Sequence, residues 1–140
     1  MSELHKALMN LFIAHRSKAH GEFSKVGLTR GQPKILNFLA ENNGCIQKQI
    51  AENCKIDPAT VTSLLLNMEK RQLIYRTPNS ENRRILNVSI TDKGIEAQKQ
   101  VKKILNNLDE ICFSGFTEEE KAEAINLINR LQNNLERDEE

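Results

Sequence analysis

A chain of 140 residues suits one compact domain, or one small domain carrying extensions. With no Trp, one Tyr and five Phe, its core must be mostly aliphatic. The net charge is only +1, but it is unevenly placed: residues 46–93 hold eight Lys/Arg against five Asp/Glu, and residues 117–140 hold three against eight. A basic middle beside an acidic end suits a protein that offers only its middle to a polyanion. The start, MSELHKALMNLFIAHRSK, has neither the long apolar run nor the small-residue cleavage site of an export signal. No stretch approaches the ~20 apolar residues of a membrane span, so a soluble cytoplasmic protein without membrane partners is expected.

In chain order, Leu4 to about Phe23 reads as a helix with Ala7, Leu8, Leu11, Phe12 and Ile13 along one stripe. Thr29 and Gln32 have capping-box spacing, with Leu28 as staple, and Pro33 suits a first turn. Ile35, Leu36, Phe38 and Leu39 continue that helix until Asn43-Gly44 stops it. A short helix follows at about Gln47–Asn53, then a tight turn at Lys55-Ile56. Asp57 caps the next helix and Pro58 takes its first position. Val61, Leu64, Leu65 and Met68 then recur at helical spacing as an inward face reaching about Arg71.

The period next changes from 3.6 to 2. Leu73 to Thr77 and Ile85 to Ile90 read as two strands around the polar loop Pro78–Asn82, making a hairpin. Thr91 caps a long helix to about Phe113, buried through Ala97, Val101, Ile104, Leu105, Leu108 and Ile111. Ser114-Gly115 breaks it. Thr117 and Glu120 form a second capping box, and Ile125, Ile128, Leu131 and Leu135 line a last helix that frays into an acidic tail. The expected fold is mainly α with a small β-hairpin wing, in the order α-α-α-α-β-β-α-α. Residues 28–94 form a winged helix-turn-helix. Residues 1–27 and 95–140 supply apolar helices that need a partner, and a second copy of the chain is the simplest one.

The helix starting at Pro58 turns Ala59, Thr62, Ser63, Leu66 and Lys70 outward, with Thr60 and Asn67 on a flank. Small hydroxylated residues let a helix sink into a major groove, and unpaired first-turn N–H groups can hold a phosphate. The hairpin tip adds Asn79, Asn82, Arg83 and Arg84; arginines there can clamp phosphates or enter a minor groove. Double-stranded DNA is therefore the expected partner.

The stretch QKQIAENCKIDPATVTSLLLNMEKRQLIYRTPNSENRRILNVSITDKG resembles the core of the multiple-antibiotic-resistance regulator (MarR) family. Its most specific parts are Ile50-Ala51, Val61-Thr62 through Met68-Glu69, Arg76, Arg83-Arg84 and Thr91-Asp92-Lys93-Gly94. The resemblance implies homodimers on inverted-repeat operators, repressing nearby genes until a small-molecule effector or an oxidant releases them. It assigns base contacts to Thr60, Thr62, Ser63 and Asn67. Phosphate or minor-groove contacts fall to Gln47, Lys48, Lys70, Arg76, Arg83 and Arg84, with Pro58, Ala59 and Asn79 alongside. It places an effector in the cleft between the dimer helices and the winged domain; Phe12, His15, Arg16 and Phe38 are the candidate lining, although such residues are more often plain core or surface. This chain departs from the family's pattern at Asn82, where the wing usually has an acid, and at Leu66-Asn67, where an acid and Arg are common. It departs again at Gln72, where Gly is usual.

Three cysteines, Cys45, Cys54 and Cys112, read as reduced thiols without zinc-ligand spacing. Cys45 and Cys54 flank the short helix, about 13 Å apart at ~1.5 Å per residue, beyond disulfide reach. The chain lacks the reactive cysteine that some relatives carry near the start of the first helix, and inert packing is favoured over a thiol switch. His5, His15 and His20 lack helical metal-ligand spacing, so no metal and no cofactor are expected. No nucleophile–base set or phosphate-binding glycine loop marks an enzyme. The rival non-catalytic reading is a winged-helix protein-interaction module, for which an exposed Leu66 is the best support.

Overall fold

The computed structural model describes residues 1–137. The acidic tail expected at the end falls partly on Asp138, Glu139 and Glu140, outside the described residues. The helices are α1 (Glu3–Lys25), α2 (Gln32–Glu41), α3 (Gln47–Cys54), α4 (Pro58–Lys70), α5 (Asp92–Cys112) and α6 (Glu118–Arg137). The strands are β1 (Cys45–Ile46), β2 (Ile74–Pro78) and β3 (Leu86–Ile90). The chain divides into two compact units, residues 1–106 and the remainder.

The first unit holds the winged domain. Its core is aliphatic: Leu28, Ile35, Leu36, Leu39, Ile50, Val61, Leu65, Met68, Ile74, Val88 and Val101 are all essentially inaccessible. Phe23 and Val26, at the end of α1, pack against this cluster, while α1 buries no residue fully. Strands β2 and β3 pair antiparallel from Ile74↔Ile90 to Pro78↔Leu86. β3 also pairs with β1, in register Cys45↔Val88 and Ile46↔Asn87, so the sheet has three strands in the order β1-β3-β2. The two-residue β1 is too short to show a period of 2, and only its tertiary pairing makes it a strand.

Two helix starts behave differently from each other. At Thr91 the hydroxyl oxygen accepts the Gly94 N–H at 3.0 Å, an ordinary N-cap. At α2 the expected Thr29–Gln32 capping box forms in one direction only. Gly31, left-handed at φ 91°, is the N-cap and no side chain caps it. Gln32 Oε1 accepts the Thr29 N–H at 3.0 Å, one arm of the box, while the Gln32 N–H goes to the Thr29 carbonyl at 3.1 Å and not to its hydroxyl. Gly31 is favoured because only glycine enters this conformation without strain, and a β-carbon there would lie 2.8 Å from Leu64 Cδ1. Gln72 closes α4 at φ 63°, accepting the left-handed turn where the family pattern has glycine.

The Thr91–Gly94 motif docks the start of α5 onto the turn after α4. Thr91 donates its hydroxyl to the Gln72 carbonyl at 2.6 Å and its N–H to the Leu73 carbonyl at 3.1 Å. Lys93 Nζ reaches the Arg71 carbonyl at 2.7 Å. Gly94 is buried where a β-carbon would lie 2.1 Å from the Leu73 oxygen. These bonds hold α5, α4 and the first residue of the wing as one joint.

The second unit contains the end of α5, a turn at Phe113–Gly115 and α6. Phe113 and Phe116 meet edge to face, 5.5 Å between centroids. The expected capping box forms in both directions: Thr117 N–H donates to Glu120 Oε1 at 2.9 Å, and Glu120 N–H to Thr117 Oγ1 at 3.1 Å. Ile111, expected inside, is exposed, as are Ile125, Ile128, Leu131 and Leu135.

Candidate nucleic-acid interface

The centre of the site is α4. Val61, Leu65 and Met68 anchor one face in the core, which turns Ala59, Thr62, Ser63, Leu66 and Lys70 to solvent. Asp57 sets the helix start. Its carboxylate accepts the Ala59 and Thr60 N–H groups at 3.0 and 3.2 Å, and the Thr60 hydroxyl also donates to it. Val61 N–H is taken by the Asp57 carbonyl. The expected phosphate seat on unpaired first-turn N–H groups is therefore absent: the aspartate already occupies it, and its charge repels a second anion.

The Thr60 hydroxyl, followed by the Thr60 and Ala59 N–H groups, holds the Asp57 carboxyl below its usual range. A depressed carboxylate stabilises the fold above its unfolded value of about 3.9 and loses that contribution as pH falls through the folded value. Melting temperatures measured from pH 6 down to pH 2 should fall more steeply for the natural protein than for Asp57→Asn, which keeps the cap without the charge. Parallel curves would exclude this role for Asp57.

The flanks of α4 are braced. Gln47 Nε2 on α3 donates to Thr62 Oγ1 at 2.7 Å, and that hydroxyl donates to the Pro58 carbonyl at 3.0 Å. On the opposite flank, Gln32 Nε2 donates to Asn67 Oδ1 at 2.8 Å. At the helix end, Arg76 on β2 grips Glu69 with both arms of its guanidinium, at 2.9 and 3.2 Å. The bond to Arg76 pulls the Glu69 carboxyl down, and the same bond pushes the Arg76 guanidinium up.

The wing tip is built from asparagines. Asn79 Oδ1 accepts the Glu81 and Asn82 N–H groups, and Asn79 Nδ2 donates to Asn87 Oδ1 at 2.9 Å. Asn82 Oδ1 accepts the Arg84 N–H at 3.1 Å. At Asn82, where the family pattern has an acid, a neutral side-chain-to-backbone turn thus forms. Arg83 and Arg84 stand exposed, and neither is in an ion pair among the described residues.

A winged helix with this helix face and wing is matched by known proteins. The sequence profile described as "MarR family" matches residues 28–86. The uncharacterised HTH-type transcriptional regulator YybA of Bacillus subtilis is 34% identical over 117 residues, covering 84% of this chain and 78% of the relative. The chain belongs to the MarR family. The HTH-type transcriptional repressor MdtR of B. subtilis is 29% identical, over 99% of this chain and 90% of its own. The solved structure of a MarR protein from Peptoclostridium difficile superposes with a TM-score of 0.84 at 26% identity, over 98% and 90% of the two chains. The protein is thus a DNA-binding winged-helix transcriptional regulator, in a family of regulators rather than enzymes. No described helix is long and apolar enough to cross a membrane.

Within this MarR frame the expected site residues separate into two groups. Lys48, Ser63, Lys70, Arg83 and Arg84 present exposed side chains around α3, α4 and the wing, as do Pro58 and Ala59 at the start of α4. Gln47, Thr60, Thr62, Asn67 and Asn79 are tied to protein partners through at least one side-chain atom. Arg76 departs furthest from expectation. Its side chain is 14% exposed and its planar fork is filled by Glu69, so it braces β2 against α4. The Glu69–Arg76 pair is seven residues apart across a helix end and a strand, a spacing that no single-element rule links.

The effector residues do not gather as expected. Phe12, His15 and Arg16 are exposed on α1, with the Arg16 guanidinium 5.8 Å from the Phe12 ring centroid. Phe38 is half-buried against the core. A shallow depression of about 390 Å³ on α1 is lined by Ala14, Ser17, Lys18, Gly21, Glu22 and Lys25, and includes none of the four. Cys54 is buried and Cys45 half-buried, and in both burial pushes the thiol up, which disfavours the reactive thiolate. Cys112 is exposed.

Proposed function

We propose that this protein is a cytoplasmic repressor that binds an inverted-repeat operator as a homodimer and is released by a small-molecule effector. The carrying observation is the pairing of a neutral-to-basic α4 face with an exposed Arg83-Arg84 wing on one rigid joint. Ser63, Lys70 and Lys48 supply further groups for bases and phosphates, and Gln47, Thr60, Thr62 and Asn79 sit beside them with their geometry preset. Pro58 and Ala59 keep the helix start slim enough to enter the groove.

The homodimer accounts for the apolar stripes. α1 exposes Leu8, Leu11, Phe12 and Ile13, and α6 exposes Ile125, Ile128, Leu131 and Leu135. Apolar stripes of this kind are covered in stable proteins, and a two-fold partner covers each with its own apolar surface. Two-fold symmetry in turn sets two α4 helices on half-sites about 34 Å apart. Repression follows the naming of MdtR as a repressor. The effector is a reading from the family resemblance alone, since Phe12, His15 and Arg16 lie exposed on α1 and Phe38 is half-buried against the core.

Gel shift on the DNA upstream of the protein's own gene, at low salt, should give a retarded band. Sedimentation of the same sample should give twice the mass of one chain, and Ile13→Glu with Ile128→Glu should give single chains that no longer retard DNA. A verified dimer that fails to shift the DNA would remove the repressor reading. It would favour the interaction-module reading, for which Leu66, 45% exposed on α4, is the supporting feature.

A further inference from the structure

Gln32 is fully buried at the start of α2, yet every polar atom of its amide is bonded. Its oxygen accepts the Thr29 N–H at 3.0 Å and lies 3.5 Å from an Arg71 guanidinium nitrogen. A backbone N–H and a guanidinium can only donate, so the Gln32 oxygen must face them and its nitrogen must face Asn67. The nitrogen donates there to Asn67 Oδ1 at 2.8 Å. One amide orientation thereby sets the next: the Asn67 oxygen is turned into the protein, and its NH₂ group is left for solvent on an exposed residue of α4. Asn67 follows Ser63 by one helical turn, on the flank of the outward face.

We propose that Asn67 reads DNA as a donor only and selects a base rich in major-groove acceptors, guanine foremost. Asparagine ordinarily suits adenine, because its oxygen and nitrogen together match N6 and N7. With the oxygen held by Gln32, that two-point match is closed to it, and the two N–H groups match guanine N7 and O6. Gln32 is then a positioning residue, buried away from DNA and acting on base choice through Asn67. This inference rests on the proposed role of α4 in the groove.

Selection of bound sites from randomised duplex DNA by the full-length protein tests it. The natural protein should favour guanine over adenine by about tenfold at one position of the site, and Asn67→Ala should erase that preference. Gln32→Glu still accepts from Thr29 and Arg71, but it also accepts from Asn67. The Asn67 amide then rotates to present its oxygen, and the favoured base at the same position becomes one with a donor, cytosine or adenine. Should Gln32→Glu fail to fold in a thermal melt, Asn67→Asp makes the same outward exchange with the Gln32 bond intact, and must lose the guanine preference. An unchanged profile for Asn67→Ala, or an adenine at the Asn67-dependent position of the natural protein, overturns the proposal. Absence of any duplex binding by the natural protein removes the DNA-reading role itself, whereas binding without an Asn67-dependent guanine removes this inference alone.

Discussion

Gly94→Ala is expected to unfold or severely loosen the winged domain. The new β-carbon would lie 2.1 Å from the Leu73 carbonyl oxygen and 2.7 Å from Ile90 Cγ1. The first of these is backbone, held in place by the Thr91 N–H at 3.1 Å, so it cannot swing aside as a side-chain tip would. Relief requires α5 to back away from the α4–β2 turn. That movement breaks the Thr91–Gln72 and Lys93–Arg71 bonds together. Overpacking in a rigid site costs roughly 1–3 kcal/mol and the broken joint adds to it, so a destabilisation of at least about 3 kcal/mol is expected. Urea unfolding followed by circular dichroism measures it. A cost under about 1 kcal/mol would show that the joint gives more readily than its bonds suggest. Because the joint links α4 to α5, any folded remnant should also bind DNA more weakly.

The second large effect concerns the wing. Arg83→Ala with Arg84→Ala should leave stability nearly unchanged, since both side chains are exposed and neither is in an ion pair among the described residues. DNA affinity should fall about ten- to a hundredfold at low salt. Each arginine that neutralises a phosphate releases counterions, so removing one such arginine makes the fall of log K with log salt shallower by about 0.9. Fluorescence anisotropy across 50–200 mM salt reads both quantities. A weakened complex with an unchanged slope would mean that the arginines shape the wing without touching phosphate. By contrast, Arg76 should contribute chiefly through Glu69, because its fork is already filled.

The elements legible in the sequence were those whose signals are local. Asp57-Pro58 announces α4 through capping and a fixed proline φ, and Thr117 with Glu120 does the same for α6. The shift from 3.6 to 2 after Met68 marks the hairpin, since burial on one face imposes the period of the element. Thr29 and Gln32 had the same local spacing and formed only one arm of the box. The buried Gln32 amide is claimed by Thr29, Arg71 and Asn67, and Gly31 starts the helix instead. Capping spacing found the Thr29–Gln32 contact but not the distant residues that share the same amide.

The candidate site divides along the same line. Side-chain chemistry along the chain placed Ser63, Lys70, Arg83 and Arg84 on a helix face and a wing tip, because facing depends only on each element's own period. Tertiary packing decided which of those groups are spoken for. Glu69 takes Arg76, Gln47 takes Thr62 and Gln32 takes Asn67. β1 likewise exists only because β3 passes beside it. Helical and strand periods are properties of neighbours along the chain, so the family, the order of the helices and hairpin, and the basic wing could be read from residues alone. Hydrogen-bond partners seven to thirty-five residues apart belong to the folded chain, and only there is it decided what each polar side chain has left to offer DNA.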